Sequence, residues 1–183
     1  QKPYNTGKNN IIFGLHAVNA ALSNNKRAHD ELFITENNHK MAENYRSKIK
    51  KITILDQKEF KKLHGGEKST QGIVLKTNDF ERPSLNQFLK NENLKDKSVL
   101  LALDQITDPQ NIGSIMRSCA LFNCKGIIVA KDNAPDLTPA LYKAASGAAE
   151  IVNYFKVTNL KRSISELKKY GYWAYGFDSS NNK

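Results

Sequence analysis

Apolar and polar positions along this chain alternate between two periods, one near two residues and one near 3.6, and the alternation predicts two successive series of short strands and helices. Residues 1–9 lack any periodicity and read as a flexible lead-in. In IIFGLHAVNAAL, Leu15, Val18, Ala21 and Leu22 share one helix face, with His16 expected to pack beside that helix. ELFIT (31–35) reads as a strand, residues 38–50 as a basic helix, and ITIL (52–55) as a strand. Asp56 is expected to cap a helix over DQKEFKKLH, and GIVLKT (72–77) closes the series as a further strand. Together these predict a small α/β layer domain over residues 10–78, with its most loop-like segment at residues 64–72. Residues 79–96 combine Pro83, a short amphipathic piece and many charges, which suits a linker or an external helix.

The pattern then changes. SVLLALD (98–104) is a continuous apolar run ending in an acid, as in a strand buried on both faces of a parallel sheet. A polar loop leads into NIGSIMRSCALF, where Ile112, Ile115, Met116, Cys119 and Phe122 are available to one helix face. KGIIVA (125–130) is a second buried strand, DLTPALYKAASGAAE carries helix signals, and VNYF (152–155) is apolar again. TNLKRSISELKKYG predicts a helix capped by Thr158 or Asn159, with Leu160, Ile164 and Leu167 on one stripe and Gly171 at its stop. YWAYGF (172–177) is expected to be the last strand, after which an α/β domain ordinarily continues. Residues 97–183 therefore read as the first half of an open parallel sheet.

Charge adds a partner class. Lys and Arg number 28 against 18 Asp and Glu, a formal excess of +10. The excess is shared by both halves, 16 basic to 10 acidic in residues 1–93 and 12 to 8 in residues 94–183. That balance suits a polyanion, although a well-solvated surface would read the same way. No run approaches the roughly 18 apolar residues of a membrane span and no secretory signal is visible, so the expectation is a soluble, cytoplasmic protein. Cys119 and Cys124, the only cysteines, have no clustered His; reduced, largely buried thiols are expected, and no metal.

The densest candidate chemistry lies in residues 103–129, where a loop follows a parallel strand at the sheet edge that binds ligands in open α/β folds. Pro109 fixes the loop before the helix, Asn111 can cap or present its amide, and Gly113 lets another backbone approach. Arg117, six residues beyond Asn111, points back toward the loop if the segment is helical. Spacing alone leaves open a capping Asn and a solvated Arg. No G-x-G-x-x-G follows any of these strands, which disfavours a dinucleotide enzyme.

LDQITDPQNIGSIMRS, the downstream KAASGAAE and VTNLKRSI, and then YWAYGFD resemble, in order and spacing, the first half of SpoU-type (TrmH-like) RNA ribose 2'-O-methyltransferases. IFGLHAVNAAL, ELFIT and STQGIV resemble the ribosomal-protein-like RNA-binding domain of the branch that methylates a guanosine ribose in large-subunit rRNA. The resemblance implies a SPOUT fold, a parallel α/β sheet closed by a C-terminal trefoil knot, acting as a homodimer on rRNA with S-adenosylmethionine as donor. By the same likeness Asn111 and Arg117 match the family's first motif and are the catalytic candidates. Glu150 matches a recurrent family position, where a helix-end or packing role is expected.

A guanidinium with a pKa above about 12 is a poor base. The expected role of Arg117 is thus to grip the phosphate beside the target ribose and steady the developing alkoxide, while Asn111 orients Arg117 or the ribose. The family's second and third motifs do not occur in these 183 residues, so the chain as given is expected to bind S-adenosylmethionine poorly. Phe177, Asp178 and Ser179 could border the cofactor pocket or form a frayed end. Lys48, Lys50, Lys51, Lys61, Lys62 and Lys68 are candidate RNA phosphate contacts near the Gly65–Gly66 loop, ordinary solvated lysines being the alternative for each. Thr70 stands before Gln71 and Gly72 where relatives often have His. Against an enzyme stands a non-catalytic RNA-binding module that keeps a degenerate half-sheet.

Overall fold

The computed structural model describes residues 9–65, 70–78, 81–91 and 98–177. The first sheet has four strands in the order β1-β4-β2-β3. They are β1 (Asn9–Phe13), β2 (His29–Thr35), β3 (Ile49–Leu55) and β4 (Ile73–Asn78). β4 runs antiparallel to both β1 and β2, while β2 and β3 are parallel. Helix α1 (Leu15–Ser23) buries Val18, Ala21 and Leu22 of the expected face together with Ala17, while Leu15 at its first position is half-buried. His16 is exposed rather than packed, because it lies off that face. The basic helix expected over residues 38–50 is broken into α2 (His39–Glu43) and two 3-10 turns, Glu36–Asn38 and Arg46–Lys48. Only Ala42 of α2 is buried, so no apolar stripe sustains a longer helix. α3 (Gln57–His64) begins as expected, with the Asp56 carboxylate accepting from the Lys58 and Glu59 amides at 2.7 and 2.8 Å.

The second sheet holds β5 (Leu100–Leu103), β6 (Gly126–Ala130) and β7 (Asn153–Val157), all parallel and in sequence order. Successive side chains of a strand point to opposite faces. Ile127 and Val129 accordingly join one core, and Ile128 with Phe155 the other. The first core is shared with α5 (Pro109–Leu121) and α6 (Pro139–Ala145) and continues without a break into the four-stranded sheet. The second is closed by α4 (Leu85–Asn91) and α7 (Leu160–Lys169), whose Leu85, Phe88, Leu89 and Leu167 cover the opposite face. The segment read as a linker or external helix thus supplies part of a core. α7 is capped by Asn159, whose side chain accepts from the Arg162 amide at 2.8 Å, and Gly171 past its end has φ of 86°.

Three further expectations fail. β5, read as buried on both faces, is only half-buried with Ala102 exposed, because it is the edge of the described sheet. Residues 172–177 pair with no strand among the described residues: the Tyr172 hydroxyl bonds to Ser98 Oγ, but Trp173, Tyr175 and Phe177 are exposed at 85, 79 and 96 %. Their alternation satisfies the strand pattern, yet pairing needs a neighbouring edge as well. Phe122 is exposed because α5 ends at Leu121, so it occupies the C-cap instead of the apolar face. Cys119 and Cys124 are free thiols, and burial followed by the neighbouring Cys124 pushes the Cys119 thiol up to about 12, leaving it unreactive at neutral pH.

Candidate functional site

α5 starts at the C-terminal edge of the second sheet. Pro109 takes its first position, where a missing amide hydrogen costs nothing, and the Asp108 carboxylate caps it by accepting from the Gln110 amide at 3.0 Å. Asp108, and not Asn111, is therefore the cap. One turn on, Gly113 lies against α6: a Cβ there would sit 2.5 Å from Ala144 Cβ and 2.8 Å from the backbone of Ala144 and Ala145. Only glycine permits the two helices to approach this closely. α6 is itself capped by Thr138, whose hydroxyl accepts from the Leu141 amide at 3.3 Å, and it stops at Ser146 and Gly147, both left-handed.

The close approach of α5 and α6 leaves an open cleft of about 370 Å³ lined by Gln110, Ser114, Arg117, Lys143, Ala144 and Ser146. At about 100° per residue, Gln110, Ser114 and Arg117 fall on one stripe of α5, whereas Asn111 lies roughly 120° around the helix from Arg117. Asn111 is exposed and outside the lining, so the two candidates are not brought together. Arg117 is exposed to the cleft, and among the described residues it makes no ion pair. Two cations, two hydroxyls and one amide with no carboxylate in the lining make a site for an anion.

The cleft borders the first domain. Lys143 Nζ stands 5.9 Å from the centre of the Phe13 ring, at the end of β1, and its stem passes Gly14. Gly14 has φ of 90°, and the Gln71 side chain accepts from the Leu15 amide at 2.8 Å, closing the same corner. Behind the cleft a buried cluster joins the domains. Arg27 donates to both oxygens of Glu150, to the Asn78 carbonyl at 2.9 Å and to the Tyr142 hydroxyl at 2.8 Å. Asn24 Nδ2 donates to Glu150 at 2.7 Å, and Arg82 to Tyr142 at 3.1 Å. Burial works to lower the Arg27 pKa, but the hydrogen bonds it donates to Glu150 and Tyr142 and the electrostatic attraction of both groups outweigh it and hold it above its ordinary value. Glu150, expected at a helix end or in packing, is the acid of this interdomain pair.

Among the RNA-contact candidates, Lys50 and Lys51 on β3 are paired with Asp30 and Glu31 of β2 at 2.7 and 2.6 Å. Lys48 donates to Asn25 at 3.0 Å. Lys61 and Lys62 are exposed on α3, where Lys61 borders a shallow hollow with Thr35, Gln57 and Phe60. Thr70 is buried. Lys68, Gly66, Asp178 and Ser179 lie outside the described residues, and the exposed Phe177 lines neither the cleft nor the hollow beside Lys61. No group of metal-ligating residues occurs among the described residues, and no described helix is long and apolar enough to cross a membrane.

Sequence reasoning missed Gln110, Ser114, Lys143 and Ser146. The first two repeat at i, i+4 and i+7 with Arg117, a stripe legible in hindsight; Lys143 carried no signal apart from its place in KAASG.

Residues 98–183 match the SpoU rRNA Methylase family, and residues 11–83 match the RNA 2'-O ribose methyltransferase substrate binding family. The chain is 36 % identical over 177 residues to the 23S rRNA (guanosine-2'-O-)-methyltransferase RlmB of Neisseria meningitidis, covering 92 % of this chain and 69 % of that protein. It is 34 % identical over 182 residues to RlmB of Shewanella oneidensis, covering 92 % and 70 %. Its fold is similar to the SpoU methyltransferase AviRb from Streptomyces viridochromogenes (TM-score 0.67, 17 % identity, 90 % of this chain). It is also similar to an AdoMet-bound rRNA methyltransferase from Sinorhizobium meliloti (TM-score 0.65, 16 % identity, 89 % of this chain). The chain spans 59 % of each of those two structures.

Proposed function

The chain belongs to the SpoU rRNA methylase family, and from that premise we propose that it serves S-adenosylmethionine-dependent 2'-O-methylation of a guanosine ribose in large-subunit rRNA, within a homodimer. The observation that carries this reading is the acid-free cleft at the start of the parallel sheet, with Arg117 facing into it unpaired among the described residues. A 2'-hydroxyl becomes a nucleophile as its proton leaves, and the charge then developing on oxygen needs fixed donors nearby. Arg117 supplies them: one edge of the guanidinium holds the phosphate beside the target ribose and the other faces the forming alkoxide. Lys48, Lys61 and Lys62 add phosphate contacts from the first domain, which give affinity without sequence choice.

The cleft between α5 and α6 does not fit the donor. Adenine needs an apolar slot and a sulfonium is repelled by cations, whereas this cleft is polar and basic. The second reading is an RNA-binding module without catalysis. One experiment separates them: transfer of labelled methyl groups to large-subunit rRNA by the protein and by Arg117→Ala. The expected loss is about 10²–10³-fold in kcat with the circular dichroism spectrum unchanged. Methyl transfer by the unaltered protein removes the second reading, and full activity of Arg117→Ala removes Arg117 from the chemistry.

A further inference from the structure

We propose that Lys143 is a second RNA phosphate-binding cation of the cleft, seated by the first domain, so that one phosphodiester is gripped jointly by Arg117 and Lys143. This inference rests on the RNA-directed reading above.

Lys143 and Arg117 come from different helices and line the same cleft, and among the described residues Lys143, like Arg117, makes no ion pair. Elsewhere the protein pairs its lysines where acids are in reach: Lys50 with Asp30, Lys51 with Glu31, Lys156 with Asp136. Around Lys143 the lining offers hydroxyls at Ser114 and Ser146 and the amide of Gln110. A phosphodiester carries one negative charge and several acceptor oxygens, so it can use two cations together with neutral donors.

The geometry also fixes where the ammonium sits. Lys143 is half-buried, and its Cγ lies 3.4 Å from the point where a side chain on Gly14 would begin. Its Nζ is over the Phe13 ring at 5.9 Å, within reach of a cation–π attraction. Phe13 and Gly14 belong to the corner between β1 and α1, so the first domain orders a cation of the second domain's cleft. Phe13 is on this account a positioning residue. The two domains then hold RNA as one unit at the point where the reacting ribose must be placed.

Fluorescence anisotropy with a short fluorescein-labelled single-stranded RNA, titrated at several salt concentrations, tests this on the 183-residue chain. Each phosphate contact contributes roughly 0.7 to the slope of log K against log salt for single strands. Lys143→Gln is expected to lower that slope by about 0.7, Lys143→Arg to restore it, and melting temperatures to stay close to that of the parent. Phe13→Leu is expected to weaken binding, and to add nothing further in the Phe13→Leu/Lys143→Gln double variant. Additive losses would overturn the seating by Phe13, and an unchanged slope in Lys143→Gln would overturn the phosphate contact while leaving the RNA-directed reading in place. Absence of salt-dependent RNA binding by the parent chain would remove that reading and this inference together.

Discussion

Arg27 and Glu150, 123 residues apart, meet as a two-pronged ion pair with Nε to Oε2 at 2.9 Å and Nη2 to Oε1 at 2.9 Å, and their side chains are 0 and 3 % exposed. The pair ties the turn between α1 and β2 of the first domain to the 3-10 turn Ala148–Glu150 of the second. Gly147, just before that turn, makes the approach possible, since a Cβ there would stand 2.7 Å from Ala20 Cβ.

Removing one partner of such a pair strands the other charge away from water. Glu150→Ala is expected to destabilise the chain by about 3–5 kcal/mol in urea unfolding at neutral pH. Replacing both charges at once, Arg27→Met with Glu150→Leu, should cost markedly less, because no buried charge is then left alone. Equal losses in the single and double variants would mean that the pair contributes through shape rather than charge.

Gly113 sets the distance between the helices that carry Arg117 and Lys143. Gly113→Ala drives a methyl into the backbone of Ala144 and Ala145, not into a flexible side chain. Overpacking of about 1–3 kcal/mol should outweigh the gain of about 1 kcal/mol from alanine's better helix propensity. The expected result is a lower melting temperature together with weaker RNA binding. A rise in melting temperature would show that α5 and α6 can part without cost.

What was legible in the sequence was local. Asp56 and Asn159 announced their helices because capping is decided within three residues, and the apolar run 98–104 announced a strand, though not its place at the edge of the described sheet, where Ala102 is exposed. β1 escaped notice because its few residues run straight into the α1 pattern. The Arg27–Glu150 pair and the seat of Lys143 on Phe13 are contacts between domains, and no spacing along the chain encodes them. Asn111 and Arg117 looked like partners in sequence, but helix geometry gives Arg117 the company of Gln110 and Ser114 instead.

Trp173, the single tryptophan, reports on the segment where the strand expectation failed. At 85 % exposure its indole should be quenched by acrylamide nearly as efficiently as a free tryptophan derivative in the same buffer. Strong protection from the quencher would mean that residues 172–177 are covered in solution, and would restore a paired strand.

Stability should also depend on pH through His29. The ring is buried, its Nδ1 lies 3.3 Å from Thr77 Oγ1, and its pKa is held below the ordinary 6.5 by burial first and the Arg27 charge second. His64, beside Phe33 and Phe60, is lowered as well, chiefly by burial. Below pH 6.5 the unfolded chain takes up protons that the folded chain refuses, so the unfolded state gains as pH falls. Full stability from these two groups is therefore expected above about 6.5, with a progressive loss as the pH drops toward their depressed folded values. The urea midpoint of the parent chain should rise between about pH 5 and pH 7, and His29→Gln should flatten that rise while keeping a side chain able to bond Thr77. If the variant shows the same slope as the parent, His29 is already protonated in the fold and its burial beside Arg27 carries no pH dependence.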